Sequence, residues 1–157
     1  STGMIFFDEF GVWGKKINPL EPNKEDFVKG TPFGHAPVII RKEVLEKVGG
    51  YRDLKKTFRV EDYDLWFRIY QKGYVGYNLP DFLKEVRDDR NALRRRKFKF
   101  RINESLVKFE GFKRLNIPIT KYLHIITPII VGLMPNTFYN FLRKRKHSNK
   151  LLEDKNE

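Results

Sequence analysis

The chain has 157 residues, no cysteine and a formal net charge of +12. That length suits one compact domain with a real core, and a composition 40% hydrophobic and 15% aromatic excludes a disordered chain. The missing cysteines exclude disulfides and thiolate metal sites, which fits a reducing compartment.

The opening STGMIFFDEFG has no basic start followed by an apolar run, so no secretory leader is read there. It is β-rich, and Asp8-Glu9-Phe10-Gly11 reads as a turn into VWGKKI, which predicts a hairpin or two short strands. Residues 18–32 hold three prolines and little periodicity, so a surface loop with one helical turn is expected. APVIIRKEVLEKVGGY then predicts a short buried strand over 38–40 running into a helix from about Lys42. Val44, Leu45 and Val48 form the apolar face of that helix, and Gly49-Gly50 end it.

Residues 51–60 read as a polar loop, followed by a helix from about Asp62 with Leu65, Trp66, Ile69 and Tyr70 at helical spacing and Gly73 at its end. YVGYNLP and FLKEVR predict two strands split by Pro80-Asp81. A long helix is expected from residue 93 to about 116, with a stripe of Phe98, Ile102, Leu106, Phe109 and either Phe112 or Leu115, broken by Pro118. YLHIITPIIVGLMP, the most apolar segment, is too short to cross a bilayer. NTFYNFLRKRKH forms a last helical piece before a frayed polar tail.

Charge is unevenly spread along this order. RRRKFKFR at 94–101 carries six cations and RKRKH at 143–147 another four, so the second half presents a basic face suited to an anionic partner.

The stretch VEDYDLWFRIY places Glu61 and Asp62 where a helix begins. Acidic residues favour that position because the first N–H groups and the helix dipole welcome negative charge, so a cap is one reading. A carboxylate that accepts a proton from a substrate hydroxyl is the other.

GHAPVIIRKEVLEKVGGY, a polar spacer, VEDYDLWFRIYQKGYVGYNLP and a strand ending in Arg87 together resemble the acceptor-side half of a family 2 glycosyltransferase. The resemblance covers roughly residues 3–116, and its specificity lies in GGY followed by EDYDLW. It implies an α/β fold: the C-terminal half of a GT-A domain over 1–92, a basic helical extension over 93–147 and a flexible tail over 148–157. It also implies transfer of a sugar, with inversion, from a nucleoside diphosphate sugar to an acceptor hydroxyl, in cell-surface polysaccharide or lipid-linked glycan synthesis. By position Asp62 matches the catalytic base and Glu61 its neighbour. A helix start should hold such a carboxylate ionised, which lowers its proton affinity. Asp64 reads as a first-turn dipole partner, and Leu65 and Trp66 as core.

Asp62-Tyr63-Asp64 spells D-x-D, but the metal and donor motif of the family follows an apolar strand, so that reading is rejected. The nucleotide-binding half is therefore expected to be missing, together with most ligands of the divalent metal (Mg or Mn) of the complete enzyme. His35 falls where related sequences carry His-Pro, so a place near acceptor or diphosphate is implied for it, against a histidine simply packed at a strand entry. Arg87 or Arg90 could pair with phosphate oxygens. Asp88 or Asp89 stands where a histidine ligand is expected, which leaves Asp89 as a metal-ligand candidate against a solvated charge run.

The basic helices and the apolar 122–135 segment suit a protein lying on an anionic membrane surface at its cytoplasmic face. Simple packing of that segment on the domain is the alternative. A catalytically silent membrane-binding remnant remains open. So does a nucleic-acid-binding module, since RRRKFKFR interleaves cations with Phe98 and Phe100, although no recognised nucleic-acid motif accompanies it.

Overall fold

The structure, a computed structural model, describes residues 1–88 and 97–153, with side chains through His147. Strands β1 (Met4–Asp8) and β2 (Gly11–Lys16) pair antiparallel, and β3 (Lys84–Arg87) adds parallel to β1 in the order β2-β1-β3. The expected hairpin forms, and the Asp8 carboxylate accepts the Phe10 N–H across its turn at 2.9 Å. The helices are α1 (Lys42–Lys47), α2 (Glu61–Gln71), α3 (Phe98–Arg114), α4 (Thr127–Leu133) and α5 (Asn136–Glu153), with 3-10 turns at Lys24–Val28 and Ile119–Ile125. The mixed α/β class read from the sequence is therefore observed.

Helix α2 is the centre of the molecule. Every residue from Tyr63 to Ile69 is buried, as in a helix enclosed on all sides. Phe27 and Phe33 come from the proline-rich loop and pack on it, Phe27 against Tyr63 and Phe67, Phe33 against Trp66. Asn78 fastens that loop by donating to the carbonyls of Pro19 and Pro32 at 2.7 and 3.0 Å. These bonds satisfy backbone groups that no ladder could reach.

Two expected strands do not form. Residues 38–40 form no regular element, among the described residues no strand pairs with them, and Ile39 is 96% exposed while Val38 and Ile40 rest on the core. Residues 74–79 are likewise irregular. A strand needs a ladder partner as well as an apolar pattern.

Helix α3 turns inward only the end of the stripe its apolar spacing suggests, at Phe112, with Leu115 buried just beyond the helix. Phe98, Ile102, Leu106 and Phe109 stay on the outside, whereas Ser105, Val107, Lys108, Gly111 and Phe112 are buried. The reason is close approach. A Cβ at Gly111 would overlap the Phe67 ring, so only glycine admits α2 at this depth. Lys108 and Ser105 on the same face donate to the carbonyls of His124 and Ile125 at 3.1 and 2.7 Å, which anchors the second 3-10 turn. The apolar 122–135 segment is thus divided. Tyr122 and Ile125 pack on the core, while Leu123, Ile126, Ile130 and Leu133 are exposed.

Helix α5 is fixed to the sheet by charge. Arg143 pairs with Asp88 and lies over the Trp13 ring, and Lys144 reaches Asp8 at 2.8 Å. It continues through Glu153, into the stretch expected as a polar tail.

Candidate active site

The site is built where the turn closing α1 meets the first turn of α2. Gly49 and Gly50 adopt φ of +78° and +62°, and their N–H groups bond back to Glu46 and Leu45, which reverses the chain. This turn brings Arg52 to Asp64 and Tyr51 within the field of Asp62 and Glu61.

Arg52 enters a buried ionic knot. Its guanidinium forks onto both oxygens of Asp64, and Arg68 binds the same carboxylate at 2.9 Å. Arg68 also donates to the carbonyls of Val48 and Gly50, so one aspartate joins α2 to the glycine turn. Burial pushes the Asp64 carboxyl up, but the two arginines outweigh it and hold it below its ordinary value. Asp64 is therefore an anchor between two segments, more than the first-turn dipole partner read from the sequence. Its i,i+4 spacing from Arg68 was the available signal.

Thr57 closes the loop between the two motifs. Its hydroxyl lies 2.6 Å from the Arg52 carbonyl and accepts the Leu54 N–H. Arg59, just ahead of the helix, takes a left-handed φ of +71°, an uncommon backbone state for a side chain of that size.

Glu61 and Asp62 occupy the outward side of the same turn, Glu61 exposed and Asp62 half-buried. Asp62 Oδ1 accepts the N–H of the adjacent Tyr63 at 2.8 Å, but the N-cap position is Val60 and no side chain caps the helix, so the cap reading of Asp62 is not met. Burial raises the Asp62 pKa above its ordinary value. The Glu61 charge adds to the rise, while the Tyr63 N–H and the nearby His35 oppose it. The lowered proton affinity expected of a helix start is thus reversed, because desolvation outweighs the helix end here.

His35 is brought to this group, and its ring meets that of Tyr51 edge-on at 5.7 Å. The Tyr51 hydroxyl is held above its usual pKa by burial and then by the charges of Asp62 and Glu61. Tyr51 is the site residue that sequence reasoning missed. Its signal was the third letter of GGY, read only as a motif marker.

Arg87 is not part of this cluster. It lies opposite Phe7 at the end of β3, next to the Asp88 that pairs with Arg143, and the charges acting on Asp62 are those of His35 and Glu61. Asp88, one of two positions where a histidine ligand is expected, is thereby committed to α5. Arg90, Asp89 and the arginines at 94–96 lie outside the described residues. Among the described residues no three His, Asp or Glu side chains are grouped as a metal site.

A half-buried carboxylate of raised proton affinity, with an imidazole and a phenol beside it, is an arrangement for moving a proton. Over most of its length the chain is also homologous to glycosyltransferases. It is 38% identical over 148 residues to the Bacillus subtilis protein named "Putative glycosyltransferase EpsE", covering 94% of this chain and 53% of that one. It is 28% identical over 143 residues to the Escherichia coli UDP-Gal:alpha-D-GlcNAc-diphosphoundecaprenol beta-1,3-galactosyltransferase, covering 87% and 51%. It is 35% identical over 98 residues to the amylovoran biosynthesis glycosyltransferase AmsE of Erwinia amylovora, covering 61% and 36%. The chain thus spans about half the length of the first two relatives. No protein-family model and no solved structure matches it.

Proposed function

We propose that this chain is the acceptor-side half of an inverting glycosyltransferase of family 2, with a GT-A fold, and that Asp62 is its general base. The observation that carries the proposal is the combination at Asp62: a rigid mount on α2, partial exposure and a pKa raised by burial. An acceptor hydroxyl beside this oxygen attacks the anomeric carbon of the donor. The oxygen–carbon bond forms as the bond to the nucleoside diphosphate breaks, the hydroxyl proton passes to Asp62, and the nucleoside diphosphate leaves. One displacement of this kind inverts the anomeric centre.

Tyr51 and His35 flank the base and orient the acceptor, and Glu61 keeps negative charge beside it, which favours proton uptake. The divalent metal expected of the complete enzyme has no ligand set among the described residues, and none of these steps uses it. Arg87 and Arg90 remain the diphosphate candidates of this half.

The test is Asp62→Asn in the complete enzyme. Transfer should fall by roughly two to four orders of magnitude with donor affinity kept, and unchanged turnover overturns the assignment.

We further propose that the helical part lies on an anionic membrane surface, where the acceptor is lipid-linked as in the name of the E. coli relative. Exposed apolar side chains on α3, α4 and α5, including Ile102, Leu106, Phe109, Leu133 and Phe141, stand beside exposed Lys99, Lys113 and Arg145. Among the described residues no helix is long and apolar enough to cross a membrane. The nucleic-acid alternative has less support, since the Phe100 ring is already engaged by Phe58 at 5.7 Å.

A further inference from the structure

A pocket lies between the end of β2, the proline-rich loop, the second 3-10 turn and α5. It has a volume of about 590 Å³. Four separate segments supply its basic lining: Lys16 at the end of β2, Lys29 after the first 3-10 turn, Lys121 and His124 on the second, and Lys146 and His147 on α5. Glu25 and Asp26 also line it, so ammonium groups outnumber carboxylates two to one. Asp26 is already engaged, since its carboxylate accepts the Asn23 N–H at 2.8 Å in a capping box.

His147 gives an independent sign of what the pocket lacks. Its ring sits 5.4 Å from Phe6, and its Nδ1 is buried with no hydrogen-bond partner among the described residues. Burial lowers the pKa of this imidazole, and Lys146, Lys16 and Arg143 lower it further against a backbone bond at Lys15 that raises it. Three cations thus act on one ring, one of them, Arg143, also paired with Asp88. Folding gathers like charges in this way at a cost, which an anion in the pocket would relieve.

We propose that this pocket binds a phosphate-bearing ligand, with the lysines from separate elements converging on its oxygens. Lysine suits this task as a compact charge with three rotatable donors, and a volume of about 590 Å³ admits a diphosphate. The ligand is either a soluble phosphate compound or the diphosphate of a lipid-linked molecule. The proposal stands apart from the assignment of Asp62, because neither pocket lining nor His147 depends on that residue.

The experiment titrates the full chain with inorganic pyrophosphate at fixed ionic strength, following the His147 imidazole by NMR. Saturable binding is expected, with the His147 pKa moving up as the anion arrives. Lys29→Glu/Lys121→Glu, both at exposed positions, should weaken binding at least tenfold. Lys42→Glu/Lys47→Glu on α1, an equal charge change away from the pocket, should leave it within twofold. Neutral phosphatidylcholine vesicles doped with a polyprenyl diphosphate separate the sources: recruitment assigns the lipid-linked ligand, and binding of pyrophosphate without recruitment assigns the soluble one. Binding that does not saturate, or that both double variants weaken equally, reports only the net charge of the chain and overturns the proposal. Asp62→Asn should leave pyrophosphate binding unchanged, so a failed base assignment and a failed pocket give different results.

Discussion

The two sides of the first turn of α2 carry aspartates two residues apart, and their surroundings send them in opposite directions. On the inner side Asp64 is held below its ordinary pKa by Arg52 and Arg68 despite burial. On the outer side burial raises Asp62, with no described cation bonded to it. Both share the same helix dipole and local sequence, so neither feature sets their roles. The tertiary partners do, and they divide one motif into a carboxylate tied up by arginines and one of raised proton affinity, the proposed base.

The sharpest way to break this comparison is to remove each carboxylate in turn. Asp62→Asn should cost the complete enzyme the roughly hundred- to ten-thousandfold contribution of a general base, while the chain stays folded by circular dichroism. Asp64→Asn should do the reverse. It leaves the buried Arg68 guanidinium without its carboxylate, which costs about 3–5 kcal/mol of stability, read from urea denaturation. If Asp64→Asn were fully stable, the anchor role would fail. If Asp62→Asn unfolded the chain, the division between the two sides would fail.

The sequence carried some of this comparison and hid the rest for identifiable reasons. The β1–β2 hairpin, α1, α2 and β3 were legible because turn residues and helical spacing are local signals. The strand expected at 38–40 does not form because pairing is not local. The apolar stripe of α3 faces the core only at its Phe112 end, because packing there is set largely by a small residue, Gly111, and by two polar side chains that reach carbonyls. At the candidate site, Asp62 and His35 were singled out by motif position, and the fold brings them near each other. The Asp64 knot needed Arg52, which only the reversal at Gly49-Gly50 brings into reach.

Gly111 sharpens the comparison from the other end of the core. Gly111→Ala drives a methyl carbon into the Phe67 ring on α2. Neither helix can yield without disturbing the buried face, so a loss of about 1–3 kcal/mol is expected, despite the better helix propensity of alanine. Thermal unfolding would measure it. An unchanged melting temperature would mean that α2 is not held rigidly by α3, and that the mount for Asp62 is looser than this packing implies.

The smallest effect is the most diagnostic, because it has a sign. Asp62 has a folded pKa above its ordinary 3.8, so the folded chain holds this proton more tightly than the unfolded one. Its contribution to stability is fully present below pH 3.8 and is lost as pH rises through the shifted value. Asp64, with its pKa lowered, contributes stability that is present above pH 3.8 and is lost as pH falls through its folded value. Stability differences between each Asn variant and the parent should therefore run in opposite directions with pH. Asp62→Asn should gain relative to the parent as pH rises from about 3 to 7, because the amide escapes the penalty of a buried charge. Asp64→Asn should lose over the same interval. Denaturation midpoints at a handful of pH values suffice to draw both lines. Parallel lines would mean that the two carboxylates are equivalent and that the outer one has no special claim to the proton.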